Sequence, residues 1–241
     1  MPEFNEINGA LLIDKPAGPT SHDIVDVIRD LYRIKKVGHC GTLDPAATGL
    51  LICLLGRATK LSQKLMADDK TYEGAITFGH TTDSYDADGQ VLETKEVPPL
   101  TLEDLNETAA HFKGDQMQQP PMVSAVKKDG VALYKLARKG KQVEREPKLV
   151  HIFRYEFSHY KAPIARFTVR CTKGTYVRSL AHELGVRIGC GAHLKHLHRT
   201  QSGAFNVANA IRLEALCHLP DEELPGRLMT ILDLTRLLQP A

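Results

Sequence analysis

The sequence predicts an α+β fold in which strands and helices follow one another without internal repeats. The apolar run from Gly49 to Gly56 has the length of a buried strand and is too short to span a membrane. Residues 71–78 alternate apolar and polar side chains, as a half-buried strand does. Apolar residues at helical spacing over 176–188 indicate a helix with Leu180 and Leu184 facing inward. A length of 241 residues fits a single large domain.

The N-terminal elements begin with a short apolar strand over Gly9 to Asp14, which ends at turn signals. Thr20 to Asp23 form a capping box that begins an amphipathic helix. The spacing places the following residues on its apolar face: Ile24, Val27, Ile28 and Leu31. The strand over 50–55 comes next, and then a helix that carries Leu61 and Leu65.

The remaining elements follow the strand over 71–78. The composition of residues 80–90 predicts a polar, acidic loop. Thr101 begins a predicted capped helix with Leu105, Ala109 and Phe112 on its inward face. Residues 116–148 are rich in Pro and Lys with little periodicity, which predicts a flexible basic insertion at the surface. A strand pair over 152–160 and 164–171 precedes the helix of 176–188. Residues 204–241 predict short helices from the spacing of Ile211, Ala215, Leu216, Leu228, Ile231 and Leu232.

Charge is segregated along the chain although the formal net charge is only +2. Residues 127–199 hold seventeen Lys and Arg against five acidic residues, so this block carries +12 and the other 168 residues carry −10. Eight carboxylates face a single lysine over 80–107. Blocks of this kind indicate a surface that binds a polyanion, although two solvated faces of opposite charge remain an alternative.

The cysteines and the N terminus indicate the compartment. Five cysteines, an odd number without a Cys-x-x-Cys pair, argue against a disulfide framework. The first residues have neither the basic nor the apolar region of a secretory signal. We therefore expect a reduced, cytoplasmic protein without a membrane segment. Cys190, His193, His196 and His198 could suggest zinc, but their spacing fits no common four-ligand framework.

The most informative segment is GHCGTLDPAATGLL, residues 38–51. Its glycines permit backbone conformations that aim the carboxylate of Asp44 into a cleft. Alternatively, Asp44 is a helix N-cap and Pro45 the first residue of a single helical turn that ends at Gly49. Both interpretations hold the carboxylate in a fixed place.

This segment resembles the catalytic motif of the TruB family of tRNA pseudouridine synthases. Further blocks resemble the family in the same order, which makes the resemblance collinear from about residue 8 to 203. They are LLIDKP at 11–16, DKTY at 69–72, TTDSYDADGQ at 81–90, QQPPMVSAVKKDGVALYKLARKG at 118–140, CTKGTYVRSLAHELG at 171–185 and GCGAHLKHLHRTQSG at 189–203. The resemblance implies a pseudouridine synthase fold, with a central, mixed and mostly antiparallel sheet flanked by helices.

The resemblance also implies the site residues. Asp44 is the expected nucleophile, Arg178 the arginine that pairs with it, and Tyr72 the ring that stacks on the target uracil and helps to remove its C5 proton. Further substrate-binding positions are His39, which occupies the space left by the flipped base, Tyr176, Leu197 and the supporting Lys15. The reaction is an isomerisation, so no cofactor and no metal are expected.

The implied substrate is the T arm and elbow of tRNA, modified at uridine 55, and 116–148 resembles the segment that closes over bound RNA. We expect a monomer without an obligate protein partner. Residues 204–241 are too few for the PUA-type RNA-binding domain of many bacterial relatives, which predicts weaker tRNA affinity with the chemistry retained. Two alternatives stay open: an RNA chaperone for the tRNA elbow, and a guide-RNA-dependent pseudouridine synthase.

Overall fold

The computed structural model describes residues 6–124, 127–128, 130–133 and 143–238. It divides into two compact units, Met1–Thr71 with His198–Ala241 (unit 1) and Tyr72–Leu197 (unit 2). The strands are β1 Gly9–Lys15, β2 Val37–Cys40, β3 Thr48–Leu55, β4 Lys70–Phe78, β5 His80–Thr82, β6 Val91–Thr94, β7 Gly114–Gln118, β8 Lys127–Lys128, β9 Val131–Ala132, β10 Lys148–Lys161, β11 Ile164–Cys171, β12 Ala192–Ser202, β13 Phe205–Asn206 and β14 Ile211–Arg212. The helices are α1 Ser21–Leu31, α2 Ser62–Met66, α3 Leu102–Ala110, α4 Val177–Ile188, α5 Leu213–Cys217 and α6 Ile231–Leu237. The α+β class is confirmed.

Unit 1 is built around β3. One edge of β3 pairs antiparallel with β1, from Gly9 opposite Leu55 to Lys15 opposite Gly49. Along its other edge β3 pairs antiparallel with β2 and, nearer its start, parallel with the end of β12. Apolar side chains cover both faces of the β1–β3 pair, which explains why residues 49–56 are continuously apolar instead of alternating.

Helix α1 begins as the sequence predicts, at a Thr20–Asp23 capping box. Its buried face is formed by Ile24, Val25 and Ile28, whereas the predicted Leu31 is 39% exposed. Leu31 is the last residue of the helix. In α6 the buried residue is Leu234, and the predicted Leu232 is exposed because it lies on another face of the helix.

Unit 2 contains the sheet order β4-β11-β10-β7. Strands β10 and β11 form the predicted antiparallel pair, and β10 bends at two irregularities of register. One face of this pair is apolar and is covered by α3 and α4, which contribute Leu105, Ala109, Leu180 and Leu184 to the core. The predicted helix at Thr101 is thereby confirmed, together with its capping box.

The prediction of an acidic loop over 80–90 is partly wrong. Residues 80–82 form β5, which pairs antiparallel with β6, and the acidic residues lie in the connection between these two strands. Strand β5 is polar, and the two apolar residues of β6, Val91 and Leu92, are consecutive and exposed, so neither strand shows the apolar alternation that identifies a strand from sequence. The predicted insertion over 116–148 begins within β7, and about a third of it lies outside the described residues. Its flexibility and its role as an RNA clamp therefore stay predictions.

Candidate active site

The Asp44 segment is the connection between β2 and β3. The amide of Ala47 donates to the carbonyl oxygen of Asp44 at 3.0 Å, which closes a β-turn with Pro45 at its second position. The alternative of a helical turn that ends at Gly49 is therefore wrong, since Gly49 already belongs to β3. A short turn between two strands leaves the side chain of Asp44 half-buried.

Lys15, at the end of β1, is fully buried beside this turn. Its ammonium nitrogen Nζ donates to the carbonyl oxygens of Pro16 at 2.7 Å, Pro45 at 3.1 Å and Ala47 at 2.8 Å. Burial lowers the pKa of Lys15 to about 8, against the opposing effect of the Asp44 carboxylate. Lys15 thus fixes the backbone on the C-terminal side of Asp44, and its supporting role in catalysis stays a prediction.

Two residues that sequence reasoning missed also hold this connection. The Oγ of Ser21 accepts from the amide of Leu43 at 2.9 Å and donates to its carbonyl oxygen at 3.1 Å. The buried Arg199 donates from Nε to the carbonyl oxygen of Leu50 at 2.7 Å and from Nη2 to that of Gly41 at 3.0 Å. Side chains from two distant parts of the chain, Lys15 with Ser21 and Arg199, therefore restrain the segment that carries Asp44.

His39 lies on β2, shortly before Asp44 in the same unit. Burial lowers the pKa of His39, and the charges of Arg199 and His22 act in the same direction. Its Nδ1 is buried and has no hydrogen-bond partner among the described residues. The imidazole is therefore neutral near pH 7 and is suited to packing rather than to carrying charge.

In unit 2, Arg178 is buried at the start of α4. Its Nη1 donates to the carbonyl oxygen of Ser84 at 3.1 Å and lies 3.3 Å from Oδ2 of Asp86, while Nη2 donates to the carbonyl oxygen of Val123 at 2.8 Å. Asp86 is the third site residue that sequence reasoning missed, although it stands in the acidic block TTDSYDADGQ. The predicted pairing of Arg178 with Asp44 stays a prediction.

The three remaining predicted residues are in unit 2. Tyr72 on β4 and Leu197 on β12 each pack, partly buried, against the unit 2 core. Tyr176 precedes α4, and its backbone is held by the side-chain amide of Gln118. The Tyr176 amide donates to Gln118 Oε1 at 2.7 Å, and Gln118 Nε2 donates to the carbonyl oxygen of Tyr176 at 3.1 Å. Unit 1 thus contains Lys15, His39 and Asp44, and unit 2 contains the other four.

The residues that could suggest zinc or thiol chemistry have other contacts. His193 Nδ1 lies 3.1 Å from the carbonyl oxygen of His80, and His198 Nδ1 lies 2.8 Å from Thr48 Oγ1. Within the described ranges, no group of three or more His, Cys, Asp and Glu side chains is arranged to hold a metal ion. Burial raises the pKa of Cys40 to about 12, which keeps this thiol protonated.

No helix among the described residues is long and apolar enough to cross a membrane.

Comparison with known proteins tests the resemblance. Residues 29–177 match the model of the TruB family pseudouridylate synthase N-terminal domain, and residues 178–241 match that of the tRNA pseudouridylate synthase B C-terminal domain. The tRNA pseudouridine synthase B of Opitutus terrae is 52% identical over 226 residues, which cover 94% of each chain. That of Syntrophotalea carbinolica is 44% identical over 95% of this chain and 75% of its own.

Two solved structures support the fold. A Cbf5-Nop10-Gar1 complex aligns with a TM-score of 0.71 and 28% identity over 96% of this chain and 60% of that chain. An H/ACA RNP bound to a substrate RNA aligns with a TM-score of 0.68 and 25% identity over 92% of this chain and 56% of that chain. The predicted pseudouridine synthase fold is confirmed, and the chain belongs to the TruB family of pseudouridylate synthases.

Proposed function

We propose that this protein is a cytoplasmic tRNA pseudouridine synthase that isomerises uridine 55 in the T loop, with Asp44 as its nucleophile and without a cofactor. The observation that carries the proposal is the restraint of the Asp44 segment by the buried side chains of Lys15, Ser21 and Arg199. A nucleophile is effective when its backbone is held before the substrate binds, because no ordering is then needed during the reaction.

The reaction breaks the bond between C1′ and N1 of the uridine and joins C1′ to C5 of the same uracil. Asp44 attacks either the sugar or the base ring, and its covalent bond divides one difficult step into two. The uracil turns within the site and the new bond between C1′ and C5 forms. The bond to Asp44 then breaks and releases its carboxylate, and the proton lost from C5 is balanced by a proton gained at N1. Arg178 supplies the positive charge that keeps the Asp44 carboxylate ionised.

The other residues recognise the extruded nucleotide, since the target base must leave the RNA stack before it can react. Tyr72 stacks on the uracil and helps to remove the proton from C5. Tyr176 and Leu197 line the pocket, and their partial exposure supports contact with a ligand. The neutral, half-buried ring of His39 occupies the space that the flipped base leaves in the RNA.

Asp44→Asn tests the proposal. Tritium release from T-arm RNA labelled at C5 of uridine should fall at least about 1,000-fold in a single turnover, because an amide is a poor nucleophile. RNA affinity should change less than about twofold, since the substitution leaves every phosphate-binding cation in place. Release at the parental rate would show that another group forms the covalent bond.

The same variant separates catalysis from RNA chaperoning. Asp44→Asn should retain any ability to refold the tRNA elbow, and a parallel loss of both activities would contradict that separation. Purified monomer acting on a naked transcript tests the alternative of a guide RNA and partner proteins. The greater identity to the Opitutus terrae protein, 52%, than to the H/ACA protein, 25%, supports independent action.

A further inference from the structure

The segment 84–86 lies along one face of α4 in unit 2. Arg178 and His182 are four residues apart on that helix, so their side chains lie on the same face. Arg178 contacts the carbonyl oxygen of Ser84 and the carboxylate of Asp86. The ring of Tyr85, the residue between these two, stacks on the ring of His182 with centroids 3.9 Å apart and planes 10° apart.

Tyr85 adopts a backbone conformation that a residue with a bulky side chain rarely takes. Its φ is +65°, in the left-handed region, so surrounding contacts must hold it there. The amide of Leu194 donates to the carbonyl oxygen of Tyr85 at 2.9 Å, and the ring stack holds the side chain. A groove of about 570 Å³ borders the stack and is lined in part by Tyr85 and His182.

Within the described part of the chain, the buried Nδ1 atom of His182 has no hydrogen-bond partner. His182 therefore contacts Tyr85 through the face of its ring. The carboxylate of Asp86 is already oriented from its other side, since its Oδ1 accepts from Ser84 Oγ and from the amide of Asp88. What remains to be fixed is the position of this turn relative to α4.

We infer that the Tyr85–His182 stack is the positioning device that keeps Asp86 against Arg178. The stack joins the turn to a second position on the same helix face, so the ion pair cannot slide along α4. Tyr85 and His182 are thus positioning residues that act through Arg178. This inference rests on the proposed function, in which Arg178 belongs to the active site.

The test compares single-turnover pseudouridine formation on T-arm RNA, with enzyme in excess. Tyr85→Ala should slow the reaction about 10- to 100-fold, the range for a displaced catalytic group, while RNA affinity changes less than about twofold. Tyr85→Phe keeps the ring and should restore a rate within about twofold of the parent enzyme.

A double-mutant cycle separates positioning from general destabilisation. In the background of Asp86→Asn, which already breaks the ion pair, Tyr85→Ala should slow the reaction less than about twofold further. Tyr160→Ala is the matched control, because it removes half of another ring pair in the same unit, that with Phe78. It should lower the unfolding temperature without slowing the single turnover.

Three outcomes would overturn the inference: a parental rate for Tyr85→Ala, the same fold-reduction in rate in both backgrounds, or failure of Tyr85→Phe to restore the rate. If Tyr85→Ala does not fold, His182→Gln removes the stack from the other side and must show the same coupling to Asp86→Asn. A parent enzyme without turnover would instead refute the proposed function, so the two failures are distinguishable.

Discussion

At the scale of single residues, the site depends on a lysine that the fold holds away from water. Three carbonyl oxygens accept hydrogen bonds from the Nζ of Lys15, so its charge is compensated by dipoles near Asp44. Removing its proton would leave those three carbonyls with a weaker partner. The same burial that fixes the turn therefore makes the protonation of Lys15 sensitive to alkaline pH.

Lys15→Met should change how stability depends on pH. The pKa of Lys15 is about 8 in the fold and 10.5 ordinarily, so between these values the unfolded chain binds more protons. The free energy of unfolding of the parent should therefore rise relative to Lys15→Met as pH increases from 8 to 10.5, by about 2 kcal/mol, and stay level below 8. Urea titrations across this range measure the difference, and the exposed Lys35→Met is the control. A parental curve parallel to that of Lys15→Met would contradict the assignment.

The site residues that the sequence predicts are those inside motifs, and those it misses act across long separations. Asp44 stands out because glycines and a proline punctuate the turn that carries it, and Lys15 stands in the LLIDKP block that resembles the family. Ser21 and Arg199 contact the same connection from 22 and 158 residues away, to Leu43 and Gly41 respectively. Only the packing of elements that are distant in sequence brings such side chains together, and no local pattern records that packing.

At the scale of elements, the start of β3 depends on a glycine that lies against another strand. Gly49 has φ of +97°, and a Cβ there would lie 2.4 Å from the carbonyl oxygen of Arg199. The close approach follows from the parallel register that places Arg199 opposite Gly49. Strand β12 can thus pair with β3 beside the Asp44 segment only because residue 49 has no side chain.

Gly49→Ala should consequently destabilise the protein by about 3 kcal/mol, through backbone strain together with displacement of β12. Gly174→Ala is the matched control, because its φ is +80° but a Cβ there meets nothing within 4 Å. The control should cost only about 1 kcal/mol, the strain alone. Chemical denaturation measures both, and equal destabilisation would show that the approach to Arg199 carries no cost.

Elements that bury an apolar face are predictable from sequence, and elements without one are not. The apolar run predicts β3 because it reflects the burial of that strand. The capping box predicts α3 because it forms the first turn of that helix. Strands β5 and β6 escape prediction because every residue of β6 is exposed. Their pairing depends on backbone hydrogen bonds, to which any sequence without proline can contribute.

At the scale of the whole molecule, the net charge of +2 conceals a block of +12 in residues 127–199. This block includes Arg178 and Arg199, which the fold uses internally, so part of its charge is bound to carbonyl oxygens and a carboxylate. Arginines held in this way cannot displace counterions from RNA. In the proposed function, the charge that contacts the RNA backbone must come from the other basic residues of the block.

The salt dependence of RNA binding should therefore arise from the predicted insertion over 116–148. Replacing Lys135, Arg138, Lys139 and Lys141 with Gln should reduce the slope of log affinity against log salt by about 1 for each phosphate that is no longer neutralised. Filter binding from about 50 to 300 mM salt measures the slope. Replacing Glu93 and Glu96 of the acidic segment with Gln is the control. These substitutions remove negative charge, so they should not weaken RNA binding. If the basic substitutions leave the slope unchanged, the charge block serves the fold rather than the RNA.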